Sequence, residues 1–148
     1  MQANDLPSTQ VSADTISADQ LTIEGITEQT VVRYFETMNA GDFDATSALF
    51  ATEGSLKAPF ESPFLGREAI AAYLHREAPG MKLEPRDSIV ETLENDQIQV
   101  QVSGTVQTGW CGVNVSWLFV LNQENEIAAA TIKLLASPQE LLNMQKRQ

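Results

Sequence analysis

The chain has 148 residues, 43% of them hydrophobic, and its 20 acidic against 9 basic side chains give a formal net charge of −11. A chain of this length can bury enough surface to fold as one domain without a metal or disulfide. The acidic balance disfavours nucleic acid and general electrostatic docking on an anionic membrane, because both need Lys and Arg opposite phosphate.

The N-terminal 20 residues are polar, which predicts a flexible tail ahead of a folded domain over residues 21–148. The opening stretch, MQANDLPSTQ, contains an aspartate and no apolar segment of the kind found in secretory signals. No apolar run approaches the length of a membrane span. We therefore expect an intracellular protein. A single cysteine excludes an internal disulfide, and no Cys/His cluster predicts a metal site.

Three helices are predicted next. TEQTVVRYFETMNAG (27–41) has apolar residues at the i, i+3, i+4, i+7 spacing of a helix, and Gly41 ends it. DFDATSALF (42–50) begins at the capping residue Asp42. GREAIAAYLHREA (66–78) follows a loop bounded by prolines. One side of this third helix carries Ile70, Tyr73, Leu74 and Glu77.

The pattern then changes to the alternation typical of strands. Strands are predicted over 87–95, 98–108, 113–121 and 126–136, and SPQE (137–140) is a capping box that starts a short C-terminal helix. Helices followed by a strand meander predict an α+β fold, in which a curved antiparallel sheet packs against about three helices around a cone-shaped cavity.

No catalytic motif is present. The strand faces predicted to point inward carry no acid or histidine, and acid–base chemistry needs such groups in a buried setting. His75, the only histidine, lies in a charged helical segment and is expected on the surface. Tyr O–H and Trp N–H groups can instead fix the polar end of a ligand in an apolar pocket. The alternative, which composition alone favours, is that Tyr34 and Trp117 are core aromatics whose polar atoms bond the backbone.

Five segments carry a resemblance to a known family: TVVRYFETMNAGDFDATSALFATEG, PFESPFLGREAI, GMKLEP, SGTVQTGWCGVNVSWLFVLN and IKLLASPQELLN. In order and spacing they resemble the C-terminal domain of the orange carotenoid proteins, over about residues 21–144. The resemblance implies a nuclear transport factor 2-like cone. Because the family's helical N-terminal domain has no counterpart in the sequence, it also implies a stand-alone C-terminal domain homologue from a cyanobacterium.

The resemblance implies a ketocarotenoid ligand, canthaxanthin or echinenone. It implies that Tyr34 and Trp117 donate hydrogen bonds to the keto oxygen and that Trp110 packs on the end ring. It further implies a set of apolar residues along the ligand tunnel: Met38, Leu83, Val106, Val115, Ile132 and Leu134. Each of these has core packing as its alternative.

Three more positions matter under the resemblance. Cys111 is a candidate for an intermolecular disulfide, with a buried, inert thiol as the alternative. Glu77 matches an acid that contacts the helical domain in that family, with a solvated helix charge as the alternative. Lys133 lies where the family tends to have an acid, and the resemblance assigns it no role.

The predicted function is a carrier that takes a ketocarotenoid from membranes, transfers it to helical carotenoid proteins and quenches singlet oxygen. A homodimer sharing one carotenoid is expected, because one small cone cannot cover a long polyene. A cytoplasmic location in a cyanobacterium follows, with transient contact at the thylakoid membrane. The alternatives are an enzyme of the isomerase or dehydratase type on the same fold, or a plain dimerisation module.

Overall fold

A computed structural model describes residues 28–109 and 111–135. The tail predicted over 1–20 and the helix predicted from residue 137 lie outside these residues. The helices are α1 (Gln29–Ala40), α2 (Phe43–Ala48) and α3 (Arg67–Glu77). The strands are β1 (Phe50–Lys57), β2 (Phe64–Leu65), β3 (Met81–Thr92), β4 (Ile98–Thr108), β5 (Cys111–Leu121) and β6 (Ile127–Leu134), with one short 3-10 turn at Glu94–Asp96.

The helix boundaries follow from local chemistry. α1 ends at Gly41, whose φ of 75° is the left-handed conformation that glycine adopts at least cost. Asp42 then caps α2, since its carboxylate accepts a hydrogen bond from the Ala45 N–H at 3.2 Å. The first two predicted helices are thus present, although the second ends at Ala48 and Phe50 already belongs to β1.

The six strands form one sheet in the order β2-β1-β6-β5-β4-β3. The predicted α+β fold, a curved sheet against a few helices, is confirmed. The sheet is mixed rather than wholly antiparallel, because β1 runs parallel to β6. β1 and β2 carry no period-2 pattern and were not predicted.

β3 begins at Met81, six residues before the predicted start at residue 87. Pro85 lies inside it, which is tolerated because β3 is an edge strand and its register shifts between Pro85 and Asp87. Opposite the shift is Gly104, where a Cβ would overlap the Glu84 carbonyl. Glycine is therefore required for this close approach of two strands.

The core lies between the helices and one face of the sheet. α1 contributes Val31, Tyr34 and Phe35, each with no exposed surface. The α1–α2 contact includes a buried polar pair, because the Thr37 and Thr46 hydroxyls are hydrogen-bonded at 2.6 Å. The fully buried side chains that the sheet and α3 add are Phe50, Leu56, Ile70, Val100, Val102, Trp117, Phe119, Leu121 and Ile127.

Candidate functional site

A cavity of about 160 Å³ lies between α1, α3 and the inner face of the sheet. Eight of the nine residues that the family resemblance assigned to a carotenoid pocket line it; the ninth, Trp110, lies outside the described residues. The eight are Tyr34, Met38, Leu83, Val106, Val115, Trp117, Ile132 and Leu134. The structure therefore brings these eight predicted residues together around one cavity.

Strand register explains how distant residues meet on one wall. Trp117 of β5 lies directly opposite Ile132 of β6, and Val115 lies opposite Leu134. Because side chains two apart on a strand share a face, these four point to the same side of the sheet. On the other flank, Leu83 of β3 lies opposite Val106 of β4 and extends the apolar wall.

Tyr34 places a phenol in this apolar wall. The residue has no exposed surface, and among the described residues its hydroxyl is the one buried side-chain polar atom without a hydrogen-bond partner. Its ring is held edge-on by Phe35 and Phe119, with ring centroids 5.2 and 5.0 Å away. Burial, with a smaller contribution from the Tyr73 phenol, raises the pKa of Tyr34 well above its ordinary value. Tyr34 is therefore a neutral donor with no acceptor among the described residues.

Trp117 forms the neighbouring part of the wall. Its side chain is 1% exposed, and its indole packs edge-on against Phe35 at a centroid distance of 4.8 Å. Phe35 thus contacts both Tyr34 and Trp117. The indole N–H is a hydrogen-bond donor. Trp117 and Tyr34, the two predicted donors, line the same cavity.

Asn39 joins two walls of the cavity, α1 and β3. Its amide donates to the Leu83 carbonyl at 2.9 Å, and its carbonyl accepts from the Leu83 N–H at 2.7 Å. The Asn39 side chain thus bonds the Leu83 backbone N–H and C=O on the free edge of β3, as a neighbouring strand would. Met38, which precedes Asn39 in α1, and Leu83 both line the cavity.

Sequence reasoning missed a second group of residues that line the cavity. Tyr73 was placed on the correct side of α3 but not in the pocket; it stacks on Phe64 at 4.3 Å, and the Arg76 guanidinium lies 5.6 Å from its ring centre. Partial burial and then the carboxylates of Glu61 and Glu77 raise the pKa of Tyr73, against a smaller lowering by Arg76. The full missed group is Ala58, Pro59, Tyr73, Leu74, Ala78, Met81, Thr108 and Val113.

Glu77 lines the cavity at its solvent side. Its side chain is 49% exposed and accepts a hydrogen bond from Arg76 at 3.1 Å. It is not the buried carboxylate that acid–base catalysis needs.

His75 is on the surface as predicted, 2.9 Å from the Asp44 carboxylate. The described residues contain no group of three or more His, Cys, Asp or Glu placed to hold a metal.

Cys111 is exposed rather than buried. It begins β5 and lies opposite Thr108, which lines the cavity. The thiol is therefore at the end of the strand pair that borders the cavity.

Within the part of the chain that the structure covers, no helix has the length and apolar character needed to cross a membrane.

Residues 26–129 match the model of the nuclear transport factor 2 (NTF2) domain. The chain belongs to the nuclear transport factor 2 family. The order of helices followed by a curved sheet, with the cavity between them, is the arrangement that the sequence resemblance implied.

Within this family, the chain is similar to orange carotenoid proteins. It is 41% identical over 134 residues to the orange carotenoid-binding protein of Synechocystis sp. (strain ATCC 27184 / PCC 6803 / Kazusa), covering 88% of this chain and 42% of the relative. It is 42% identical over 126 residues to that of Limnospira maxima, covering 82% and 40%. The solved structure of the Anabaena (Nostoc) sp. PCC 7120 orange carotenoid protein binding canthaxanthin superposes with a TM-score of 0.78, at 41% identity, over 84% of this chain and 41% of that one.

The chain thus spans about two-fifths of the length of the curated relatives it matches. This agrees with the resemblance to one domain of those proteins. Both relatives are named for carotenoid binding rather than for a reaction, which agrees with the prediction that this NTF2-family chain is not an enzyme.

Proposed function

We propose that this protein binds one end of a ketocarotenoid, canthaxanthin or echinenone, in the cavity between α1 and the sheet. The keto oxygen accepts hydrogen bonds from the Tyr34 hydroxyl and the Trp117 indole N–H. The observation that carries the proposal is the Tyr34 hydroxyl, which is buried in an apolar wall with no partner among the described residues. Such groups are rare because leaving a buried donor unsatisfied is unfavourable, and a ligand acceptor would remove the penalty.

The two donors contribute selectivity more than affinity. A hydrogen bond adds only about 0.5–1.5 kcal/mol net. Burying the ring and polyene at roughly 25 cal/mol per Å² supplies most of the binding free energy. The donors favour a ring with a ketone over a plain hydrocarbon ring, and their bond to the conjugated carbonyl draws electron density along the polyene and shifts its absorption.

The size of the cavity supports a shared ligand. A cavity of about 160 Å³ is close to the size known to hold a single benzene-sized ring and is below the usual range for a whole drug-sized ligand. The remainder of the polyene must therefore be covered by something else. Apolar side chains at the same end of the sheet are partly exposed: Val113 at 40%, Leu134 at 45% and Leu135 at 39%. A second copy of the chain would cover them and enclose the other end of a symmetric diketone.

In this proposal the protein is a carrier. It takes the pigment from membranes, keeps it as a homodimer and transfers it to helical carotenoid proteins, and the bound polyene quenches singlet oxygen in the meantime. Glu77, half-exposed at the cavity wall, is the candidate contact for the helical acceptor.

The test is expression in cells that make canthaxanthin. The purified protein should be coloured, and Tyr34→Phe and Trp117→Phe should each shift the visible absorption and reduce the pigment retained. Tyr73→Phe is the matched control, because it removes a partly exposed phenol from the same cavity and should leave the spectrum unchanged. A colourless wild-type protein would contradict the proposal and leave the enzyme and the dimerisation module as the alternatives.

A further inference from the structure

A second concave feature adjoins the cavity. It is a surface groove of about 350 Å³ lined by Lys57, Pro59, Phe60, Thr131, Ile132, Lys133 and Leu134. Three of these residues, Pro59, Ile132 and Leu134, also line the cavity, so the two features lie next to each other. We call this groove and its exposed edge the Phe60 rim.

Phe60 is presented to solvent by a specific turn. Its side chain is 94% exposed, and its φ of 67° lies in the left-handed region that large side chains avoid. The Glu61 N–H donates to the Ala58 carbonyl at 3.3 Å, so residues 58–61 form a turn with Pro59 second and Phe60 third. This is the arrangement of a type II turn, whose third position normally holds glycine or asparagine. A phenylalanine there is unfavourable for the turn and for solubility, which points to a role for the exposed ring.

Two lysines line the groove together with Phe60, in a chain whose net charge is −11. Lys57 lies opposite Thr131 across the parallel β1–β6 pair, and Lys133 follows on the same face of β6. The Lys57 ammonium also donates to the Glu61 carbonyl at 2.7 Å, so it braces the turn that carries Phe60. No acidic residue lines the groove. The carboxylate of Glu61 helps to raise the pKa of Tyr73, and Tyr73 lines the cavity but not the groove.

We propose that the Phe60 rim docks on the surface of a bilayer that contains anionic lipid, and that pigment passes there between the membrane and the cavity. An exposed aromatic ring beside lysines suits the interface between headgroups and acyl chains. Each lysine near an anionic surface adds attraction, which lets this patch approach a membrane that the rest of the acidic chain would avoid. The proposal rests on the proposed carotenoid function and adds where the pigment enters.

The test compares two ways of supplying canthaxanthin: in detergent micelles, and in phosphatidylcholine vesicles with or without phosphatidylglycerol. Phe60→Gly removes the ring and gives the turn its preferred residue, so thermal stability should stay the same or rise. The variant should load from micelles like the wild type but take up pigment from vesicles about tenfold more slowly, since the ring no longer inserts. The double variant Lys57→Gln, Lys133→Gln should lose the acceleration by phosphatidylglycerol, by roughly tenfold.

Matched controls lie on the opposite edge of the sheet. Ile89→Ser removes a side chain that is 70% exposed on β3, and Arg86→Gln removes a positive charge from the same strand. Both should take up pigment from vesicles at the wild-type rate. If Phe60→Gly and the double lysine variant also do so, the rim is not the docking surface. The same conclusion follows if Phe60→Gly slows only transfer from the protein to a helical acceptor. If the wild type fails to load even from micelles, the proposed function itself is contradicted.

Discussion

Phe35 packs edge-on against Trp117, with the ring centroids 4.8 Å apart and the ring planes at 86°, and it makes a similar contact with Tyr34 at 5.2 Å. One fully buried side chain thus orients both proposed donors without being able to bond a ligand itself. Phe35 is a positioning residue.

We expect Phe35→Leu to change both the stability of the protein and the absorption of the bound pigment. The smaller side chain should lower the free energy of unfolding by about 1–2 kcal/mol and should broaden or shift the absorption of bound canthaxanthin, because the indole and phenol are less constrained. Val100→Ala is the control, since it thins the core at a residue that does not line the cavity. If the two variants show the same spectrum as the wild type, Phe35 does not position the donors.

Tyr34→Phe should stabilise the pigment-free protein. The hydroxyl that it removes is buried without a partner among the described residues, and such a group is unfavourable by about 1–3 kcal/mol. We expect the free energy of unfolding of the apo protein to rise by about 1 kcal/mol, while pigment retention falls. Tyr73→Phe, which removes a partly exposed hydroxyl, should change apo stability little. A less stable apo Tyr34→Phe variant would mean that the hydroxyl has a partner in solution.

Stability should fall at alkaline pH in a way that depends on Tyr34. Burial raises the pKa of Tyr34 in the folded state, so the folded form keeps its proton where the unfolded form loses it. The stabilisation is fully present below the unfolded pKa of about 10 and is lost as the pH rises above it, by up to about 1.4 kcal/mol per pH unit. Denaturant unfolding at several pH values measures this slope. Tyr34→Phe should show a shallower slope, and an unchanged slope would contradict the assignment.

Val115→Phe should fill the cavity. Val115 is 2% exposed and lines the wall next to Trp117, so a larger ring there occupies the volume proposed for the pigment end ring. We expect pigment binding to be lost and the free energy of unfolding to drop by about 1–3 kcal/mol from overpacking. Val120→Phe, on the opposite face of the same strand, should retain pigment. Retained binding in Val115→Phe would place the ligand elsewhere.

Cys111 should link two copies of the chain under oxidation. The thiol is exposed and lies beside a cavity residue, Thr108, at the edge where the second copy is proposed to sit. A dimer band on a non-reducing gel should form with oxidant, disappear with reductant and be missing in Cys111→Ser. If the band does not form with canthaxanthin bound, the proposed dimer does not bring the two thiols together.

Much of the fold was accessible from the sequence because some elements carry strong local patterns. α1 repeats its apolar residues at helical spacing, and β4 alternates apolar and polar residues along its length. β1 was missed because its burial does not alternate and its register with β6 shifts between Phe50 and Ser55. Its partner, β6, lies about 70 residues further along the chain, so only tertiary pairing defines it.

The candidate site, like the fold, could be predicted from the sequence only in part. The predicted wall residues came from a family resemblance, and strand register explains why they share a face. Tyr73 was seen on one side of α3, but its entry into the cavity depends on how α3 packs over the sheet, which no local pattern specifies. The unpartnered state of the Tyr34 hydroxyl likewise depends on the whole enclosure and could not be read from VVRYFETMN.

The paired hydrogen bonds between Asn39 and Leu83 fasten the first helix to the edge strand on one side of the cavity. The third helix is fastened to the sheet at its first residue, where the Arg67 guanidinium donates to the Phe50 carbonyl at 2.7 Å. Tyr73 and Glu77 lie further along this helix and line the cavity. We therefore expect the cavity to widen at these two residues, rather than at Leu83, when a bulky end group enters.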